Sequence, residues 1–479
     1  MTAICTRKGF LGLAGAFAAQ GLRAGERPPV GRPDCIRYSC DVPVYGDYDV
    51  AVFGAGPGGI GAAVAAARAG KKTILVERYN FPGGVGAWAS TPLFFQFEGP
   101  DAHGNQFQMI RGICDETVRM LDRCGHARFY ANDDHKELEP GPIGDQPLRG
   151  KVYFDAEYLK IAYHDLLDAA GVEKLFMTAL SGAVTDGRRL TEAVVTCLEG
   201  PRAIRAKTFV DATGDAFLVQ LAGGETFQAS PYETMHKSMF MEVCGVKPHS
   251  YVRNAERYAE LYAQHKLPEN VWCGHNYCHF AQADHYSIPE AYAVGDCCSS
   301  RDMTRMDAEL RRLNAELLDV YRREFEGYGE AYWITGAQQV CSRDGRHVRG
   351  RDTVDLALIR GEREVVDGVV PILRKWGAHS PRQREGFAPA QHGHLPGLKS
   401  IPYGALVSKS FDNVLVAGRG LSVEPEVAGT CRMMPTCMAQ GQVAGTAAAL
   451  ALDFERGDVG RVRYAELRRR LEDSNHICC

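Results

Sequence analysis

The chain has 479 residues, with 55 basic against 59 acidic side chains for a formal charge of −4, and 45% hydrophobic residues. That is an ordinary globular composition, long enough for about three structural units and a large core. The near-balanced charge argues against the clustered cationic surface that nucleic-acid binding requires, so no nucleic-acid partner is expected.

Residues 1–30 read as an export signal. Arg7 and Lys8 precede an apolar stretch from Phe10 to Ala19, and Leu22-Arg23-Ala24 resembles a small-residue cleavage site. Thr6-Arg7-Lys8-Gly9-Phe10-Leu11 also resembles the twin-arginine signal, with Lys8 in place of the second arginine. The apolar stretch is too short to span a bilayer, and no other run reaches that length. The expectation is an exported, periplasmic or cell-envelope protein without an integral membrane segment in its mature chain; without a working signal it would be cytoplasmic.

Tyr48 to Phe53 reads as a buried parallel strand. Gly54-Ala55-Gly56-Pro57-Gly58-Gly59 then matches G-x-G-x-x-G, Ile60 to Arg68 suits a helix packed closely on a sheet, and Gly70 stops it. Lys72 to Val76 is the next strand, ending in Glu77. Gly54 permits the tight turn, Gly56 admits a pyrophosphate to the backbone, and Gly59 lets helix meet strand. The helix N-terminus offers N–H groups to phosphate. Glu77, 18 residues beyond Gly59, suits a ribose diol.

Tyr158 to Ala170 has helical period, and Gly171 to Ala179 and Leu190 to Thr196 read as strands leading to Phe209-Val210-Asp211-Ala212-Thr213-Gly214. Met303 to Phe325 is an amphipathic helix. Asn413 to Ala417 is a buried strand that ends at Gly418-Arg419. In Met433-Met434-Pro435-Thr436-Cys437-Met438-Ala439-Gln440-Gly441-Gln442-Val443-Ala444-Gly445, Pro435 suits a first helical turn. Gly441, Gly445 and Ala449 fall at four-residue spacing, which leaves one helix face nearly bare backbone.

These segments resemble the FAD-dependent oxidoreductases of the two-dinucleotide-binding-domain flavoprotein superfamily, with the glutathione-reductase-like FAD fold, and within it the bacterial FAD-dependent oxidoreductase family. The resemblance runs from about Tyr48 to Asp453. It implies an α/β fold in which a Rossmann-like ββα domain with a parallel sheet carries an inserted α+β substrate or cap domain. The FAD domain would then comprise 45–100, 151–224 and 395–455, the inserted domain 101–150 and 225–394, and the C-terminal helix and tail 456–479. FAD would be held by Gly54, Gly56, Pro57, Gly58, Gly59 and Glu77, by Arg78, Gly83 and Gly84 in the turn that follows, and by Ala212, Thr213 and Gly214. Gly418, Arg419, Pro435, Thr436 and Met438 complete the expected cofactor set, the helix from Pro435 pointing its N-terminus at the pyrimidine edge of the flavin.

The implied activity is hydride transfer between a small organic substrate and bound FAD, with an electron donor or acceptor left unidentified. Ser342-Arg343-Asp344-Gly345-Arg346-His347-Val348-Arg349-Gly350 resembles the family's arginine-rich segment, from which Gly345 and His347 depart. Arg343 and Arg346 are candidates to clamp a carboxylate or hydroxylated substrate. His347, with His392 and His394, is a candidate acid–base group. Cys437 sits at a helix start, where a thiol's pKa is lowered, and is a candidate redox group.

The sixteen cysteines are scattered; the informative ones are the vicinal pairs Cys297-Cys298 and Cys478-Cys479 and the group Cys273, His275, Cys278 and His279. The last has zinc-ligand residue types, but its spacings interleave poorly for one tetrahedral centre, and no metal is assigned. Two alternatives stand beside the main reading: a thiol- or metal-handling flavoprotein that uses these cysteines, and a flavin monooxygenase. A non-enzymatic flavin- or NAD-binding module is a third.

Overall fold

In this computed structural model the described residues are 39–100, 103, 105–130, 142–275, 278–280, 284–373 and 397–478. The expected export signal, His392, His394 and Cys479 lie outside them. Contacts divide the chain after Pro43, and all that follows concerns Val44–Cys479.

The chain begins with strand β1 (Val44–Phe53), whose last four residues are buried on both faces. It breaks at Gly54, φ +98°, and continues as helix α1 (Pro57–Arg68) with Pro57 in its first turn. Strand β2 (Thr73–Val76) returns parallel to β1, Val50 opposite Thr73 and Phe53 opposite Val76. Helix α2 (Ile113–Arg123) follows, then helix α3 (Ala156–Ala170), which buries Leu159, Ala162, Tyr163, Leu166 and Leu167 and closes on a left-handed Gly171. That spacing fits the helical period read over Tyr158 to Ala170.

Strand β3 (Glu173–Leu175) lies parallel to β2, and strands β4 (Ala179–Asp186) and β5 (Arg189–Cys197) form a hairpin through Gly187. The single strand expected over Gly171 to Ala179 is interrupted at Met177, φ +54°. There the backbone leaves the ladder, and the N–H groups of Met177 and Thr178 donate to the carbonyls of Tyr79 and Glu77. Strand β6 (Gly200–Asp211) is long enough to serve three neighbours. One edge pairs with β1; on the other, its start pairs with β5 and Phe209–Asp211 pairs with a late strand.

Strand β7 (Met241–Cys244), helix α4 (Tyr251–Ala263), strands β8 (Cys278–His279) and β9 (Tyr286–Ile288), helix α5 (Ser300–Glu324) and strand β10 (Tyr332–Gly336) come next. Their antiparallel sheet has the order β8-β9-β7-β10 and shares its own core with Tyr258 of α4 and Leu310, Leu317 and Tyr321 of α5. These elements share a core separate from that of the parallel sheet.

The late strand β11 (Val414–Val416) completes the main sheet, of order β3-β2-β1-β6-β5-β4 with β11 against β6. Helix α6 (Met434–Phe454) and helix α7 (Tyr464–Asp473) end the chain. Helix α2 lies within 101–150, the stretch grouped with the insertion. Its Ile113, Cys114, Val118 and Leu121 nevertheless belong to the same core as α1 and α6, since their apolar face has that surface to cover.

Helices α1 and α6 pack backbone against backbone. A Cβ on Gly441 would lie 2.0 Å from the Gly58 carbonyl oxygen, and one on Gly445 2.2 Å from that of Ala62. A Cβ on Gly61 would in turn lie 2.3 Å from the Met438 carbonyl oxygen. The glycine stripe of α6 therefore seats α1, and this fixes the first glycine turn against the start of α6.

Candidate active site

At the end of β1, Gly54 donates to the Val76 carbonyl at 2.7 Å, and Gly59 lies so near Gly54 that only glycine fits. A Cβ on Gly56, by contrast, would meet only Gly84 Cα at 3.8 Å. Gly56 thus faces open space in front of the α1 N-terminus, where backbone N–H groups and the helix dipole favour an anion. Glu77 is buried beside it, its carboxylate accepting from Ala55 N at 2.6 Å and from Tyr79 N at 3.0 Å. Burial pushes its pKa up, and those two backbone N–H groups oppose the rise.

Opposite this turn, buried Asp211 organises the Ala212–Gly214 loop. Its Oδ1 accepts from the N–H and the hydroxyl of Thr213, and its Oδ2 accepts from Val219 N at 3.1 Å. Two residues past β11 the chain turns at Gly418, φ +89°, whose N–H donates to the buried Gln440 Oε1 at 2.8 Å while Gln440 Nε2 donates to the Cys431 carbonyl at 2.7 Å. Arg419 pairs with Asp215 at 2.6 Å and also donates to Ser342 Oγ at 3.1 Å.

These turns open on one cavity of about 910 Å³, lined at one region by Gly54, Gly56, Pro57, Gly58 and Glu77 and elsewhere by Ala212–Gly214, Gly418, Arg419 and the start of α6. The volume lies at the upper end of small-molecule sites. Open backbone at Gly56 and Gly418, an anion-favouring helix start and a buried carboxylate suited to a ribose diol together fit an adenine dinucleotide. The family model described as FAD dependent oxidoreductase matches residues 49–471.

The chain belongs to the FAD dependent oxidoreductase family.

A soluble pyridine nucleotide transhydrogenase of Erwinia tasmaniensis is 28% identical over 135 residues, which are 25% of this chain and 27% of that protein. The chain thus matches about a quarter of that relative's length. Among solved structures, a geranylgeranyl bacteriochlorophyll reductase-like protein from Thermoplasma acidophilum aligns at 12% identity and TM-score 0.47 over 89% of this chain and 83% of that one. A p-nitrophenol 4-monooxygenase from Pseudomonas putida aligns at 11% identity and TM-score 0.44 over 89% and 83%.

Within this FAD dependent oxidoreductase, Arg78 and Gly84 line the cavity as well, and so do Arg343 and Cys437. Gly59, Gly83, Pro435, Thr436 and Met438 stand behind the wall. Gly83 N donates to the Ala55 carbonyl at 2.8 Å, Thr436 and Met438 are buried in α6, and Met438 Sδ accepts from the Thr117 hydroxyl. They support the turns that face the cavity.

Three of the residues chosen for chemistry require correction. His347 is buried off the cavity, its Nε2 2.8 Å from Asp344 Oδ1 and its Nδ1 3.2 Å from the Leu421 carbonyl, so both ring nitrogens are engaged in holding the fold. Arg346 also stays off the wall, donating to the Asp215 carbonyl at 3.5 Å with its guanidinium over the Phe217 ring. Cys437 does line the cavity, but burial pushes its thiol up to about 12 rather than down, outweighing the helix start.

Of the four residues of zinc-ligand type, Cys273 is exposed, while buried His275 has Nδ1 3.0 Å from the Tyr321 hydroxyl and 3.4 Å from Glu290 Oε1. Cys478 packs into the main core instead of reaching the cavity. Sequence reasoning missed Gln440 behind Gly418 and, on the cavity wall, Trp88, Phe240, Trp272, His236 and Glu290. No periodicity or spacing marks these residues, because chain segments far apart bring them together.

Proposed function

We propose that the enzyme transfers a hydride between its FAD and a small organic substrate bearing a carboxylate or similar anion, held by Arg343. Bound FAD supplies the hydride chemistry; the chain positions the substrate and shapes the field around it. The observation that carries the reading is Arg343 itself. It lines the cavity, donates to Ser238 Oγ at 2.6 Å, lies over the Phe240 ring, and has no carboxylate at ion-pair distance among the described residues. Burial lowers its pKa, so an anionic ligand would relieve a charge that is costly where it stands. Arg419, neutralised by Asp215, is already paired.

The test is anaerobic bleaching of the flavin by matched pairs of organic compounds with and without a carboxylate. The carboxylated members should react, and Arg343→Ala should weaken their apparent binding about 10- to 150-fold, as for a lost hydrogen bond to a charged group. Equal reaction of both members, or no effect of the substitution, would defeat the reading. Export is part of the proposal, supported by Arg7, Lys8 and the apolar run that follows. A mature protein from the native host that retained residues 1–30 would contradict it.

A further inference from the structure

Cys297 and Cys298 lie side by side on the cavity wall, and their sulfurs and a carboxylate oxygen of Asp215 are all within 4.8 Å of one another. Cys297 Sγ donates to Asp215 Oδ1 at 3.5 Å and also meets the Asp344 carbonyl at 3.4 Å. We infer that Cys297 and Cys298 form a dithiol/disulfide couple that exchanges an electron pair with FAD bound in this cavity. The inference rests on the FAD reading of the site.

Three features favour this over a passive pair. The cysteines stand directly ahead of the 25-residue helix α5, whose N-cap is Ser299, where the helix dipole favours thiolate. A hydrogen bond from Cys298, with smaller contributions from Arg419 and Lys237, lowers the pKa of Cys297 against burial and the Asp215 charge, while that of Cys298 rises. The Asp215 carboxylate opposes ionisation of Cys297, and Arg419, which pairs with it, and Lys237 offset that charge. Finally, a Cβ on Gly345 would lie 2.6 Å from Cys297 Sγ and 2.2 Å from Asp215 Oδ1. Gly345 is a position where the chain departs from the arginine-rich family segment, and the space its missing side chain leaves is where the thiol meets the carboxylate.

Adjacent residues place their Cα atoms ~3.8 Å apart, less than the ~4.4–6.8 Å usual for a disulfide, so the bond between them is strained and readily reduced. Such bonds are the labile, working ones. In the exchange, one S–S bond forms between Cys297 and Cys298, two S–H bonds are lost, and the two electrons and two protons pass to oxidised FAD to give its two-electron-reduced form. The reverse direction opens the disulfide at the expense of reduced FAD.

The experiment is an anaerobic dithionite titration of the full-length, air-oxidised holoenzyme, with mass analysis of the alkylated peptide that carries both cysteines. The expected result is uptake of two electron pairs per flavin. Before titration the peptide should be unalkylated and lighter by two hydrogens; afterwards it should be doubly alkylated. Cys297→Ser and Cys298→Ser should each take up one pair while keeping the flavin spectrum, and Gly345→Ala, which crowds Cys297, should do the same. Uptake of one pair by the unaltered enzyme with both thiols open to alkylation would overturn the couple, as would an equimolar metal ion lost on either serine substitution. Absence of flavin absorbance from the unaltered protein would overturn the FAD reading itself, and the couple with it.

Discussion

Gly59 and Gly54 meet so closely that a Cβ on Gly59 would lie 1.7 Å from the Gly54 carbonyl oxygen. The obstacle is backbone at the end of a buried strand, so it cannot swing aside. Gly59→Ala should therefore cost about 3 kcal/mol, the upper range of over-packing, and yield protein without flavin. Flavin content and a denaturant titration check this; a stable yellow Gly59→Ala protein would show that the turn is looser than described.

Glu77 satisfies two backbone N–H groups while it faces the cavity. Glu77→Ala leaves both without their acceptor and removes the partner for a ribose. We expect a loss of about 1–3 kcal/mol in stability. FAD affinity should fall at least tenfold, measured by equilibrium dialysis of the apoprotein.

His476 anchors the C-terminal tail, its Nε2–H donating to the Val369 carbonyl at 2.6 Å, and burial lowers its pKa to about 4. The folded value lies below the ordinary 6.5, so the unfolded chain takes up this proton first as pH falls. Stability from this group is complete above pH 6.5, declines below it, and is fully lost once the pH has dropped through about 4. The loss should be about 2 kcal/mol at pH 5, from 1.5 pH units below 6.5 at 1.36 kcal/mol each. Unfolding measured at several pH values should show this acid sensitivity, and His476→Gln should flatten it.

Burial raises the Cys437 thiol to about 12, so it stands protonated at pH 7. Cys437→Ala should keep flavin and turnover within about twofold and cost about 1 kcal/mol of stability. Rapid inactivation by iodoacetamide at neutral pH, traced to Cys437, would show a nucleophile where the structure places a buried thiol.

What was legible in the sequence was local. The glycine turn, Glu77 and the Leu159–Leu167 stripe each declare themselves within one or two turns of chain, because the backbone conformation or the period is fixed by near neighbours. Gly441 and Gly445 announced a bare helix face, but that it receives Gly58 and Ala62 is a pairing across most of the chain, which spacing does not encode. His347 and Cys437 were misread for one reason: a favourable residue type was weighed without its burial. Asp344 and the Leu421 carbonyl engage the histidine, and the apolar start of α6 keeps the thiol protonated. The helices α2 and α4 were missed because neither adjoins a recognisable cofactor segment.

The central claim is that the cavity joining the Gly54–Gly59 turn, Glu77 and the start of α6 holds FAD. The direct measurement is the visible absorbance spectrum of the purified protein, before and after acid precipitation of the polypeptide, repeated on Gly59→Ala. The account predicts the two-banded spectrum of oxidised flavin, FAD released into the supernatant, and no colour in the variant. A colourless protein that stays colourless with added FAD, or a variant as yellow as the parent, would contradict it.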